Sequence, residues 1–275
     1  MQQLNYKETI PIEYEGMLDA HAFEPAAEDL AYVFDCYQDD PAAALSFLEK
    51  WKERRWLKRQ MLSGKKLRVF SSYTAEQIRK QYPKAGENLI LQYPKVDEAY
   101  HPIDDDAKDI VRYNLTNGEA YFLYRGPIHP AASLTELLKG FSIFKKKMGS
   151  NMKLVLCGPA SKSGVAFLHS IGSYKYRDDL VIRESIPDDT ELMAAAYALI
   201  HPCRWERFGF SVLKAMKAGV AVLTTADSAM SEFCSMAGMY FNERDPNDIG
   251  EKFIRIYKDE QMRQEMIGTG LSKSL

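Results

Sequence analysis

From residue 118 onward the chain alternates between short runs rich in β-branched and aromatic residues and amphipathic segments of helical period. This is the pattern of a parallel sheet covered by helices. The strands it predicts are AYFLY (120–124), KLVLC (153–157), DLVIR (179–183), ALIHP (198–202), VAVLTT (220–225) and GMYF (238–241), with helices in the gaps. Ser133 with Glu136 three residues later reads as a capping box, and Asp245-Pro246 as an N-cap followed by proline at the first helical position. Gly219 reads as a helix stop before VAVLTT. The first hundred residues are mostly of helical pattern until a βαβ-like stretch: LRVFSS, then TAEQIRKQY opening on a Thr74/Gln77 capping box, then NLILQY. An acidic, proline-containing stretch, HPIDDDAKD (101–109), marks a boundary between domains 1–104 and 105–275.

Composition narrows the class. With 275 residues and 46% hydrophobic content, the chain can bury a core in one large or two small domains. A formal net charge of −2 and a pI near 6.3 argue against a nucleic-acid-binding surface, so any basic feature is local. The four cysteines, Cys36, Cys157, Cys203 and Cys234, form no CxxC pair and suggest neither a zinc site nor a disulfide framework. They read as reduced cytosolic thiols. The start, MQQLNYKETIPIEYEG, lacks the apolar core of a signal peptide, and LMAAAYALI (192–200) is too short to span a bilayer, so a cytoplasmic protein is expected.

One segment departs from this even charge. Residues 50–68 carry nine Lys or Arg against one Glu, interleaved with Trp51, Trp56, Leu57, Met61 and Leu62. Such a helix either docks on anionic lipid, at the inner face of a membrane, or sits on the surface with its tryptophans in the core and its charges solvated. The sequence leaves both open.

The stretch HPCRWERFGFSVLKAMKAGVAVL (201–223) carries the clearest chemistry. In parallel α/β sheets ligands bind beyond the carboxyl ends of strands, and residues 203–210 occupy such a place. A helix starting near Ser211 would aim free N–H groups and a partial positive charge at this loop, a seat for phosphate, and Gly209 lets backbone come close. Glu206 could accept hydrogen bonds from sugar hydroxyls or stabilise positive charge at an anomeric carbon. Spacing alone equally permits a helix-capping loop with a solvated glutamate.

Residues 66–270 resemble the group 1 retaining glycosyltransferases. The stretches that carry the resemblance come in the family's order: FSSYTAEQIRKQYP, LQYPKVDEAYHP, YFLYRGPI with the helix to Lys147 and KLVLCG, then IPDDTELMAAAYALIHPCRWERFGFSVLKAMKAGVAVLTT, and SEFCSMAGMYFNERDPNDI. The resemblance implies an α/β, GT-B-like fold: a parallel-sheet, Rossmann-like C-terminal domain (105–275) that binds the donor, and an incomplete, helix-rich N-terminal domain (1–104) on the acceptor side. It implies transfer of a sugar from a nucleotide-sugar donor to a saccharide or lipid-linked saccharide acceptor, with retention, in cell-surface polysaccharide biosynthesis. No cofactor and no metal enter beyond that substrate. By position in the family's motifs, Glu206 contacts the donor sugar, and Gly126, Phe208, Gly209, Phe210, Ser211, Lys214 and Glu232 line the donor site.

The departures point elsewhere. Lys214 stands where the family has a glutamate gripping the ribose diol, and an ammonium cannot accept from hydroxyls. Pro127 and Ala132 replace the arginine and lysine set against the diphosphate, and Arg207 replaces a glycine. Arg125, Arg204, Arg207 or Lys214 would have to supply the missing charge, unless each is a surface charge or salt-bridge partner. The family's glycine-rich loop has no counterpart in residues 1–60, and His21, in LDAHAFE, is either the family's first-domain histidine or a structural one. A catalytically impaired or split protein, acting as a binding or scaffolding subunit alongside a partner chain, is therefore the alternative to an active transferase. A nucleotide-sugar epimerase is a weaker third reading, because the Glu-x-Phe-Gly loop is not its mark.

Overall fold

The computed structural model of the chain describes residues 30–33, 47–62, 64, 66–93, 96–129, 132–160, 162–184, 186, 188–203, 210–226 and 228–273. These fall into two compact units, one drawn from residues up to 95 and the other from residue 96 onward.

The first unit holds a parallel sheet in the order β1-β2-β3, with β1 at Leu30–Val33, β2 at Lys66–Val69 and β3 at Leu89–Leu91. Helix α1 spans Phe47–Leu62 and α2 spans Ser72–Gln81. Alternate residues of β2 point to opposite faces, so Leu67 and Val69 are buried with Ala75 and Ile78 of α2, and Trp56 of α1 packs on this core. The βαβ stretch read from sequence is present, but its cap differs. Ser71, still extended, accepts from the Thr74 amide at 3.0 Å, so α2 starts two residues before Thr74 and the Thr74/Gln77 box does not form. Strand β1 had no counterpart in the sequence reading.

The second unit is a six-stranded parallel sheet in the order β6-β5-β4-β7-β8-β9. Its strands are β4 (Tyr121–Arg125), β5 (Lys153–Cys157), β6 (Leu180–Arg183), β7 (Ala198–His201), β8 (Ala221–Thr225) and β9 (Gly238–Phe241). They fall within a residue of the predicted runs. Both faces are covered, which is why the central strands read as continuous apolar runs. Phe122 and Tyr124 point to one face with Leu137, Phe141 and Phe144 of α4 (Leu134–Met148) and Ile249, Phe253 and Ile256 of α9 (Pro246–Lys258). Tyr121 and Leu123 point to the other, beneath α6 (Thr190–Ala194), α7 (Phe210–Lys217) and α8 (Ala229–Cys234). Helices α3 (Asp105–Thr116), α5 (Lys162–Ser170) and α10 (Glu260–Lys273) complete the unit. Among the described residues no helix is long and apolar enough to cross a membrane.

Residues 96–104 belong to this unit because side chains tie them to it. Lys217 donates to the Val96 carbonyl at 3.2 Å and pairs with Glu98 at 2.7 Å. The acidic stretch read as a boundary instead opens α3, where Asp104 caps the helix by accepting from the Ala107 amide at 2.8 Å.

Other end signals divide. Asp245 caps α9 with Pro246 at its first turn, as expected. Gly219, at φ 71°, ends α7: its amide donates to the Met216 carbonyl and that of Val220 to Ala215, the paired bonds of a left-handed helix stop. Ser133 does not cap α4. Its φ of 50° turns it left-handed and its side chain makes no capping bond, so the Ser133/Glu136 box is absent.

Strand β4 comes first in the unit and is followed on one side by β5 and β6, on the other by β7, β8 and β9. Chain order therefore reverses between β4 and β7, and beyond the carboxyl ends of such a pair the connecting loops diverge to leave a crevice. That seam is the shortest ladder of its sheet: Phe122 pairs with Ala198 and Leu123 with Leu199, whereas the neighbouring strands pair over four or five residues.

Candidate functional site

At the carboxyl end of β4, Arg125 forms an ion pair with Asp189, which directly precedes α6, and both side chains are nearly closed to water. Tyr100 donates its hydroxyl to the other Asp189 oxygen at 2.5 Å. The Lys214 ammonium, on α7, lies 4.6 Å from the centre of the Tyr100 ring. Ser211, one turn earlier, donates its hydroxyl to the Arg125 carbonyl at 2.9 Å and so ties α7 to β4. Burial would push the Asp189 carboxyl upward, but the charges of Arg125 and Lys214 and the bonds from Tyr100 and Arg125 outweigh it and hold the group below the ordinary carboxylate range. The same pairing keeps Arg125 above its ordinary value against its own burial.

The loops after β4 and β5 run side by side. Gly126 donates its amide to the Cys157 carbonyl at 3.0 Å, and Ile128 to Pro159 at 2.9 Å. A Cβ on Gly158, at φ 152°, would run into the Gly126 carbonyl oxygen, so only glycine allows this approach. At the end of β7, His201 is buried with its ring stacked on Tyr124 at 6.1 Å, and Thr224 donates to its carbonyl at 3.1 Å.

The structure thus brings Ser211 and Lys214 together with Arg125 at the seam. Phe210 is buried at the start of α7 beside them. Gly126 lies at the end of β4 with its amide already bonded. Glu232 sits apart, in the first turn of α8 after β8, where the helix end favours its charge. Glu206, Phe208 and Gly209, with Arg204 and Arg207, lie outside the described residues, as does His21. Pro127 offers a carbonyl to the Tyr124 hydroxyl at 2.7 Å, and Ala132 is buried, so neither supplies a cation. Asp189 and Tyr100 were missed in the sequence. Neither stands out by period or spacing, and they meet across 89 residues of chain. Among the described residues no group of three His, Cys, Asp or Glu side chains could hold a metal ion.

A doubly wound parallel sheet whose crevice sits where chain order reverses is the architecture of a GT-B-like α/β protein. The fold matches that of WaaG, a glycosyltransferase involved in lipopolysaccharide biosynthesis, with a TM-score of 0.76 and 19% identity over 90% of this chain and 70% of that one. It also matches Anabaena Alr3699/HepE in complex with UDP-glucose, with a TM-score of 0.76 and 13% identity over 89% of this chain and 66% of that one. Residues 105–272 match the family of glycosyl transferases group 1, and the chain belongs to it. In sequence it is 20% identical over 246 residues to the O-antigen chain mannosyltransferase B of Escherichia coli, covering 88% of this chain and 63% of that protein. The chain therefore spans less than two thirds of the length of that curated relative.

Proposed function

We propose that the protein transfers a sugar from a nucleotide-sugar donor to a saccharide or lipid-linked saccharide acceptor, with retention and without a metal ion, in the assembly of a cell-surface polysaccharide. The observation that carries this reading is the charge at the seam: Arg125 and Lys214 against Asp189 leave one net positive charge where the sheet opens its crevice. A diphosphate is the group such a place suits. The names of the relatives agree in kind, a mannosyltransferase of O-antigen chains and a structure holding UDP-glucose. In this reading Glu206 contacts the donor sugar, while the amides of Phe208, Gly209 and Phe210 and the start of α7 at Ser211 seat the phosphates. The test is thermal unfolding with a panel of nucleotide sugars. A donor at 100 times its Kd adds about 2.7 kcal/mol, which is roughly 5 to 11 °C at this chain length. Glu206→Ala should abolish transfer and leave the unfolding midpoint in place; retained transfer would remove Glu206 from the reaction.

A second reading is favoured by the same residues. Arg125 is bound to Asp189, Pro127 and Ala132 carry no charge, and Lys214 cannot accept from a ribose. A folded chain that no nucleotide sugar stabilises would be a binding or scaffolding subunit, working with a partner chain.

The acceptor side includes a contact with the cytoplasmic face of a membrane through residues 50–68. Trp51 and Trp56 lie five residues apart, about 140° around a helix, and they part company. Trp56 packs on the core of Leu67, Val69 and Ile78, while Trp51 remains 47% exposed. Phe47, Leu48 and Leu62 are exposed as well, among the exposed cations Lys52, Arg54, Arg55, Lys58 and Arg59. Large apolar groups between basic ones are the composition that anionic lipid binds.

A further inference from the structure

The second unit holds a cavity that the reading above does not use. It measures about 530 Å³, within the range of small-molecule sites, and its lining includes Tyr240, Phe241, Asn242, Glu243, Arg244 and Asp248. It lies at the carboxyl ends of β8 and β9, the ligand side of a parallel sheet. Two strand spacings, roughly 10 Å, separate it from the β4/β7 seam.

Its wall is pre-formed. Asp248 accepts from the Asn242 amide at 2.7 Å and pairs with Lys252 at 3.0 Å. The Asn242 side-chain oxygen accepts from the Arg244 amide at 3.0 Å, and the Asn242 carbonyl accepts from the Asp245 amide at 3.0 Å. Other lining groups keep hydrogen-bonding capacity to spare. The Glu243 side chain is only 12% exposed, and its partner among the described residues is Arg244 Nε at 3.6 Å, beyond hydrogen-bond range. The Asn242 side-chain nitrogen has no partner among the described residues. The Arg244 charge offsets that of Glu243, but a shielded carboxylate still lacks hydrogen-bond donors unless something else supplies them.

These groups define the ligand. A carboxylate accepts only, whereas an amide nitrogen and a guanidinium donate only, so side by side they match neighbouring hydroxyls, each of which can do both. Phe241 is buried in the core beneath and Tyr240 is tied back to Ser231 at 3.2 Å, so these two residues fix the floor of the cavity and the polar groups above it make the contacts. Glu243 and Asp248 are balanced by Arg244 and Lys252, so the cavity carries no net positive charge to draw a phosphate. We propose that this cavity is a neutral-saccharide subsite of the second unit, separate from the donor crevice and from the acceptor side assigned to the first; its place in glycan handling rests on the glycosyltransferase reading.

The experiment is saturation-transfer NMR of the full chain with mannotetraose and with maltotetraose, without nucleotide. Transfer to at least one is expected. Asn242→Asp keeps the oxygen that Arg244 uses and removes the donor, while Glu243→Gln keeps the shape and removes the charge. Each should weaken binding roughly five- to tenfold, with the unfolding midpoint and UDP binding unchanged. No transfer to either saccharide in the unaltered chain, or equal affinity in both variants, would overturn the proposal. Failure of the donor reading looks different: nucleotide sugars would not stabilise the chain, and saccharide binding would persist.

Discussion

Arg125 closes β4 and Asp189 precedes α6, yet the two meet as an ion pair whose side chains are 14% and 6% exposed. At that burial the loss of one partner strands the other charge. Asp189→Ala is expected to cost about 3 to 5 kcal/mol, roughly 6 to 20 °C in midpoint at this size. The double change Arg125→Met with Asp189→Leu should cost far less, because no charge is left behind. Calorimetric melts of the three chains check this, and equal losses in single and double variants would assign the effect to packing instead.

The same carboxyl sets an acid limit. Its pKa in the folded chain is depressed below the unfolded value near 3.9. Its contribution is therefore complete above that value and is lost as pH falls below about 4, through the depressed folded pKa. Urea midpoints measured from pH 6 down to 3 should begin to drop near 4. Asp189→Asn should remove that part of the slope.

Lys214 has two testable roles. Its charge helps to keep Asp189 ionised, and in the proposed donor site it would take the place of a ribose-binding carboxylate. Lys214→Glu should tighten binding of a uridine or guanosine diphosphate sugar, since a carboxylate accepts both ribose hydroxyls. It should also move acid unfolding to higher pH, by setting a like charge near Asp189. Titration calorimetry reads the first and pH melts the second. Unchanged affinity in a folded variant would remove residue 214 from the donor site.

The two tryptophans of α1 should separate lipid binding from stability. Arg55, whose guanidinium stands 5.1 Å from the centre of the Trp51 ring, belongs to the exposed face. In co-sedimentation with phosphatidylglycerol vesicles, Arg55→Glu should weaken binding by about 1 kcal/mol or more, at least fivefold. Trp51→Ala should weaken it too without moving the midpoint. Trp56→Ala should instead cost about 2 kcal/mol of stability. Vesicle binding unaffected by both Trp51→Ala and Arg55→Glu would leave α1 an ordinary surface helix.

What the sequence discloses here is what depends on neighbours along the chain. β5 and β9 begin and end where the apolar runs do, and Asp245-Pro246 and Gly219 act as their local chemistry dictates. The false capping boxes fail for a geometric reason: an extended Ser71 caps α2 three residues upstream of the Thr74 cap expected, and Ser133 is left-handed, so a matching residue type is not enough. The Tyr100–Asp189–Arg125 cluster was hidden because its members are spaced by tertiary packing, with no period to betray them. Nor does the sequence show which cations already have a partner, as Arg125 has in Asp189.

The β4/β7 seam has a mechanical consequence. Strands β4, β5 and β6 form one leaf of the sheet and β7, β8 and β9 the other, and two ladder pairs join them, with the Tyr197 amide donating to the Tyr121 carbonyl just before. Arg125, at the rim of the first leaf, is held by Ser211, which follows the second leaf's first strand. Any molecule lodged at that rim would touch loops of both leaves at once and act as a clasp. Occupancy and the cohesion of the two leaves are then one equilibrium, and slower hydrogen exchange along β4 and β7 would report a ligand without any change in shape.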